Sequence, residues 1–177
     1  MLLKKILSKL FTKFISLLPN TTIQSGVFID YRCEIEGKNN IFIGKNSKLY
    51  KNSTVYKKDE GKFVMGEDSH IAPFGYMLID SENLSIGSNV AIAKNCSFFC
   101  VTNAISEDKN ILFKDSYKRG SITIGDNVFI GTNCVILPDS FIENDVVVGA
   151  NSTVKGRLES GYIYGGNPVK KVKRIRG

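Results

Sequence analysis

The apolar positions of this chain recur every six residues over most of its length. The clearest stretch reads Ile124-Gly-Asp-Asn-Val-Phe, Ile130-Gly-Thr-Asn-Cys-Val, Ile136-Leu-Pro-Asp-Ser-Phe, Ile142-Glu-Asn-Asp-Val-Val and Val148-Gly-Ala-Asn-Ser-Thr. Ile86-Gly-Ser-Asn-Val-Ala and Ile92-Ala-Lys-Asn-Cys-Ser repeat the pattern earlier. Weaker copies begin at Ile29, Ile35, Ile43, Leu49, Met65 and Ile71. A period of six fits neither an amphipathic helix nor the turn spacing of about 8–12 residues in an ordinary sandwich. Three such units make one triangular coil, and stacked coils bury an apolar column that no single coil could bury alone. The pattern therefore predicts an all-β solenoid, a parallel β-helix.

Each place in the repeat has its own requirement. The first is a branched aliphatic or other large apolar residue that fills the interior. The fifth is small, as suits an inward position near a corner, and includes Cys33, Ser47, Ser69, Val90, Cys96, Cys134 and Ser152. The fourth is Asn or Asp at 46, 52, 68, 89, 95, 127, 133, 139, 145 and 151. These two residue types tolerate positive φ better than other non-glycines, which a tight turn every six residues demands.

Outside the repeat, residues 1–20 read as an amphipathic helix. Leu3, Ile6, Leu7, Leu10, Phe11, Phe14, Leu17 and Leu18 recur at three- and four-residue steps opposite Lys5, Ser8, Lys9, Thr12, Lys13 and Ser16, and Pro19 ends the run. Two uses are open. The stripe can pack across the open end of the solenoid as a cap, or it can dock on a membrane surface. The lysines interrupt every apolar run, so the segment lacks the core of a signal peptide. The β-helix domain spans residues 21–158 and a closing segment spans 159–177. The coil of residues 86–103 should continue at 104, yet the next repeat starts at Ile124. Residues 104–123 are thus expected to protrude as a loop, and loops placed by rigid scaffolds often carry sites. Residues 56–63 read as a smaller polar insertion.

Composition narrows the chemistry. The ends are basic, +4 over residues 1–22 and +6 over residues 155–177; against a net charge of +7 this leaves −3 on the body. A nucleic-acid reader would carry its basic stripe on the folded body, so no nucleic-acid partner is expected. His70 is the only histidine and the chain has no Trp. Zinc sites built from three histidines are thereby excluded, and no metal is expected. Three of the four cysteines fall at the fifth place, which reads as core filling rather than disulfide chemistry. The simplest reading is a reduced, cytoplasmic protein, membrane-peripheral if the helix docks on lipid.

The run GSITIGDNVFIGTNCVILPDSFIENDVVVGANSTV, followed by YIYGGNPVKKVKRI, resembles the C-terminal half of the hexapeptide-repeat O-acetyltransferases. That group includes the maltose, galactoside and surface-polysaccharide enzymes. The resemblance is close over about residues 86–177 and rests on the repeat alone before that. It implies a left-handed helix, a homotrimer, and acetyl coenzyme A as co-substrate in a groove between subunits. It implies a sugar or glycan acceptor, O-acetylated during surface polysaccharide synthesis. Cofactor contacts would fall on Gly131, Thr132, Gly149, Ala150 and Ser152, with Lys170 and Lys173 facing the phosphates as point charges. The family's catalytic histidine falls on Asn103, whose carboxamide can position a hydroxyl but cannot take its proton. General-base help is typically worth about 10²–10⁴-fold. His70 is the substitute base to consider, and Glu107, Asp108, Asp115 and Tyr117 lie on or beside the loop. The alternative reading is a silent β-helix scaffold, or a pseudoenzyme that binds coenzyme A without turnover.

Overall fold

A computed structural model describes residues 2–37 and 39–176. Short parallel strands wind into three flat faces, with successive strands of the chain passing to the next face. The first face stacks seven strands, from Thr21–Ile23 through Asn83–Ile86 and Ile122–Ile124 to Arg157–Leu158. The second runs from Phe28–Ile29 through His70–Ile71, Ala91–Ile92, Phe129–Ile130 and Val147–Val148 to Tyr162–Gly165. The third runs from Glu34–Glu36 to Thr153–Val154. The registers follow the repeat directly: Ile86 sits beside Ile124, Ile92 beside Ile130, and Ile130 beside Val148.

The first-place residues Ile29, Ile43, Leu49, Ile71, Ile92, Ile130, Ile136, Ile142 and Val148 are fully buried along one continuous column. All ten fourth-place Asn and Asp residues adopt positive φ. Glycine is needed where coils press closest. A Cβ on Gly131 would lie 2.5 Å from the backbone nitrogen of Ala150, so only hydrogen fits there. The fifth place does more than stay small. Ser47 Oγ donates to the Gly66 carbonyl (2.7 Å) and Ser69 Oγ to that of Gly87 (2.9 Å), while Cys96 and Cys134 thiols reach the carbonyls of Gly131 and Gly149 (both 3.1 Å). The four cysteines are free and buried. Burial pushes the Cys33 thiol up to about 11 and that of Cys100 up to about 12.

Three expectations need correction. The helix, Leu2–Ile15, does lie across the open end, but not on its leucine stripe. It docks through Ser8, Phe11, Thr12 and Ile15, because the exposed edge of the first coil presents backbone N–H groups that need acceptors. Ser8 Oγ accepts from Tyr31 N (3.2 Å) and Thr12 Oγ1 from Ile29 N (3.0 Å). Second, residues 56–63 are the expected insertion, since Ile43 sits beside Met65 where a regular eighteen-residue coil would end at 61, but they form no open polar loop. The strands Thr54–Lys57 and Lys62–Met65 leave only a tight turn between them. Lys57 there is buried, its ammonium donating to Asn39 Oδ1 (2.8 Å) and the Lys58 carbonyl (3.1 Å). Third, the excursion is not a free loop over 104–123. Val101–Asn103 pairs antiparallel with Tyr117–Arg119 as a two-stranded arm, and the solenoid has already resumed at Ile122. The closing segment adds Lys170–Arg174 antiparallel to Tyr162–Gly165, at the edge of the second face.

Candidate active site

The residues expected to hold the cofactor stack at one corner, where the chain turns from the second face to the third. Gly131 and Thr132 follow the strand Phe129–Ile130, and Gly149 and Ala150 follow Val147–Val148 one coil below. Thr132 Oγ1 donates up the stack to the Lys94 carbonyl (2.8 Å). Ser152 is buried; its hydroxyl donates to the Gly149 carbonyl (2.6 Å) and accepts from Gly166 N (3.0 Å). That bond ties the stack to the closing segment, where Lys170 lies opposite Gly165 and Lys173 opposite Ile163. Both lysines are exposed.

This corner differs from the one between the first and second faces in how its third-place amides are satisfied. At that other corner, Lys45 N donates to Gln24 Oε1, Glu67 N to Ser88 Oγ, Ser88 N to Asp126 Oδ1 and Asp126 N to Asn144 Oδ1. Among the described residues, the N–H groups of Thr132 and Ala150 find no such acceptor. Two amides one coil apart are therefore without a protein acceptor at this corner. Lys94, above Thr132 and 5.5 Å from the Phe74 ring centroid, brings a cation to the same corner. Sequence reasoning missed it; the signal was that it holds the outward third place of Ile92-Ala-Lys-Asn.

Asn103 stands at the root of the arm, one corner further on. It is exposed, and its Nδ2 donates to the Phe113 carbonyl (2.8 Å), while the Ala104 amide donates to the Ser116 carbonyl (2.9 Å). The carboxamide thus braces the short 3-10 turn at Phe113–Asp115. The arm is fixed to the solenoid through Asp80. That carboxylate, only 6% exposed, receives Lys58 Nζ (2.7 Å) and Arg119 Nε (3.2 Å). Burial alone would raise its pKa, but the two cations outweigh that and hold it below the ordinary carboxylate value.

His70 does not join Asn103. It lies on the second face, half-buried, its ring edge-on to Tyr50 at 6.1 Å, in a groove of about 430 Å3 that also holds Lys48 and Asp68. Burial, then the Lys48 charge, lowers its pKa, which keeps the imidazole neutral near pH 7. Of the arm's other ionisable groups, Asp108 caps its own turn by accepting from Asn110 (2.9 and 3.0 Å), and Tyr117 packs 5.4 Å from the Arg119 guanidinium. Asp115 pairs with Lys114 at 3.8 Å, and Glu107 is exposed. A second groove, about 540 Å3 and lined by Asn127, Phe129, Asp145 and Arg176, contains none of the expected cofactor residues.

The model of the bacterial transferase hexapeptide (six repeats) matches residues 121–156. The chain is 27% identical over 155 residues to a protein of Escherichia coli (strain K12) named "Putative lipopolysaccharide biosynthesis O-acetyl transferase WbbJ", covering 82% of this chain and 78% of that one. It is 30% identical over 135 residues to a "Putative acetyltransferase" of Dictyostelium discoideum, with 76% and 70% covered. In structure it is similar to AntD, an N-acyltransferase from Bacillus cereus. One point mutant of AntD, in complex with dTDP and coenzyme A, superposes with a TM-score of 0.80 at 27% identity over 94% of this chain and 89% of AntD. AntD has also been solved with dTDP-4-amino-4,6-dideoxyglucose and coenzyme A. Repeat, corner geometry and relatives agree: the chain belongs to the bacterial hexapeptide-repeat transferase family.

Proposed function

We propose that this protein transfers an acetyl group from acetyl coenzyme A to a sugar hydroxyl in surface-glycan synthesis, working as a homotrimer with its site between subunits. The observation that carries this reading is the corner at which Thr132 and Ala150 keep free N–H groups beside Lys94 and Lys170. Unpaired amides one coil apart suit the amide carbonyls of an extended pantetheine chain, and the lysines suit its phosphates. Relatives that bind coenzyme A on the same fold support it. The acceptor oxygen attacks the thioester carbonyl, the carbon–sulfur bond breaks, and the departing thiolate takes up the proton the acceptor gives up.

One observation favours a second acceptor class. Asn103 has no basicity and is engaged with the Phe113 carbonyl, and His70 is on another face. A sugar amine in its neutral form needs no base to attack, and AntD is an N-acyltransferase. Thiol release from acetyl coenzyme A, followed with nucleotide sugars carrying only hydroxyls or one amine, separates the two. For a hydroxyl acceptor, Asn103→His should raise the rate, on the order of 10²-fold. For an amine acceptor it should change little, and the wild-type rate should rise with pH through the amine's own pKa. No thiol release with either acceptor set would leave the silent scaffold.

A further inference from the structure

The helix Leu2–Ile15 spends its polar side on the solenoid. Ser8 and Thr12 satisfy backbone N–H groups of the first coil, and Ile15 plugs the end of the apolar column. With the helix held that way round, Leu2, Leu3, Ile6, Leu7, Leu10 and Leu17 face outward, between 37% and 76% exposed. At about 100° per residue the middle of this stripe lies roughly opposite the docked side. Lys5, Lys9 and Lys13, spaced four apart, run along one flank of the stripe. No acidic residue occurs before Asp30.

We propose that this outward face is an in-plane anchor that seats the open end of the solenoid on an anionic phospholipid surface. A row of leucines flanked by lysines is the arrangement in which apolar side chains sink below the headgroups while ammonium groups meet lipid phosphates. No helix among the described residues is long and apolar enough to cross a membrane, so this one lies on the surface. A second copy is the poorer occupant. Pairing two such helices would set lysines against lysines with no acid to answer them. The anchor stands independently of the acyl-transfer reading, because it uses no residue of the candidate site.

The test is co-sedimentation of the full chain with vesicles of phosphatidylcholine alone or with about one third phosphatidylglycerol. We expect binding to the anionic vesicles that weakens as salt rises, and little to the zwitterionic ones. Leu7→Glu with Leu10→Glu should abolish it. Lys5, Lys9 and Lys13 changed together to Gln should weaken it roughly 100-fold at low salt, from about fivefold per lysine. These positions are exposed, and unchanged circular dichroism checks that the fold survives. Because the chain has no Trp, Leu10→Trp is a direct reporter whose emission should shift blue on anionic vesicles. Absence of binding, binding indifferent to lipid charge, or a stripe that instead drives self-association without lipid and is silenced by the glutamates would overturn the proposal. Thiol release by the same variants reads the catalytic proposal separately.

Discussion

Asn95 holds φ at +60°, and its side chain makes no ladder bond to the next coil, unlike Asn46, Asn127 and Asn133, which donate to Asp68, Asp145 and Asn151. It therefore isolates the cost of the left-handed turn. Alanine there keeps the turn but loses the local stabilisation that Asn gives to positive φ, at roughly 1–2 kcal/mol; glycine adopts the angle without strain. Urea unfolding should show Asn95→Ala destabilised by about that amount and Asn95→Gly much closer to wild type. Equal losses from both would mean that packing, not backbone angle, selects the fourth place. The fifth place was legible as small and inward, yet its hydrogen bonds were not. A count of residue types cannot show that Ser69 donates to Gly87 and accepts from Val90 N (3.0 Å), tying its coil to the next by two bonds.

At the scale of elements, the same division separates what periodicity reveals from what it hides. Strands inside the solenoid repeat the side-chain pattern that buries them, so Ile86 through Val154 could be placed face by face. The arm obeys no such period. Its two strands pair with each other, and the burial pattern of Tyr117–Arg119 is exposed throughout, so nothing apolar marks it. The helix misled for a related reason: its apolar stripe looked like the docking side, whereas an open strand edge demands acceptors before it demands hydrocarbon. The arm's anchor on Asp80 is likewise invisible in sequence, since Lys58 and Arg119 lie far from it along the chain. With its pKa depressed, this carboxylate contributes stability that is full above the ordinary Asp value of about 3.9 and is lost as pH falls through the folded value. Asp80→Asn should mimic that loss at neutral pH. Hydrogen exchange should accelerate over residues 101–119 while the coils on either side stay protected, and uniform acceleration would show that Asp80 supports the solenoid instead.

For the molecule as a whole, the arm raises a question that one subunit cannot answer. Ile105, Leu112 and Phe113 are 86%, 59% and 69% exposed, on a projection that the Asp80 pairs and the Asn103 brace hold out from the body. Apolar side chains carried on a stiff projection are costly to leave in water and gain most by meeting a neighbouring surface. Under the homotrimer reading that surface belongs to the next subunit, beside the corner of Thr132 and Ala150, and the arm closes the pocket the corner begins. Sedimentation should then give three times the 19.6 kDa of one chain. Ile105→Ser with Phe113→Ser should lower the trimer's stability to dilution and weaken coenzyme A binding together, while the melting of the isolated solenoid changes little, since neither residue touches its core. A wild-type chain that sediments as a monomer, or a double variant that stays trimeric with full coenzyme affinity, would sever the arm from the site.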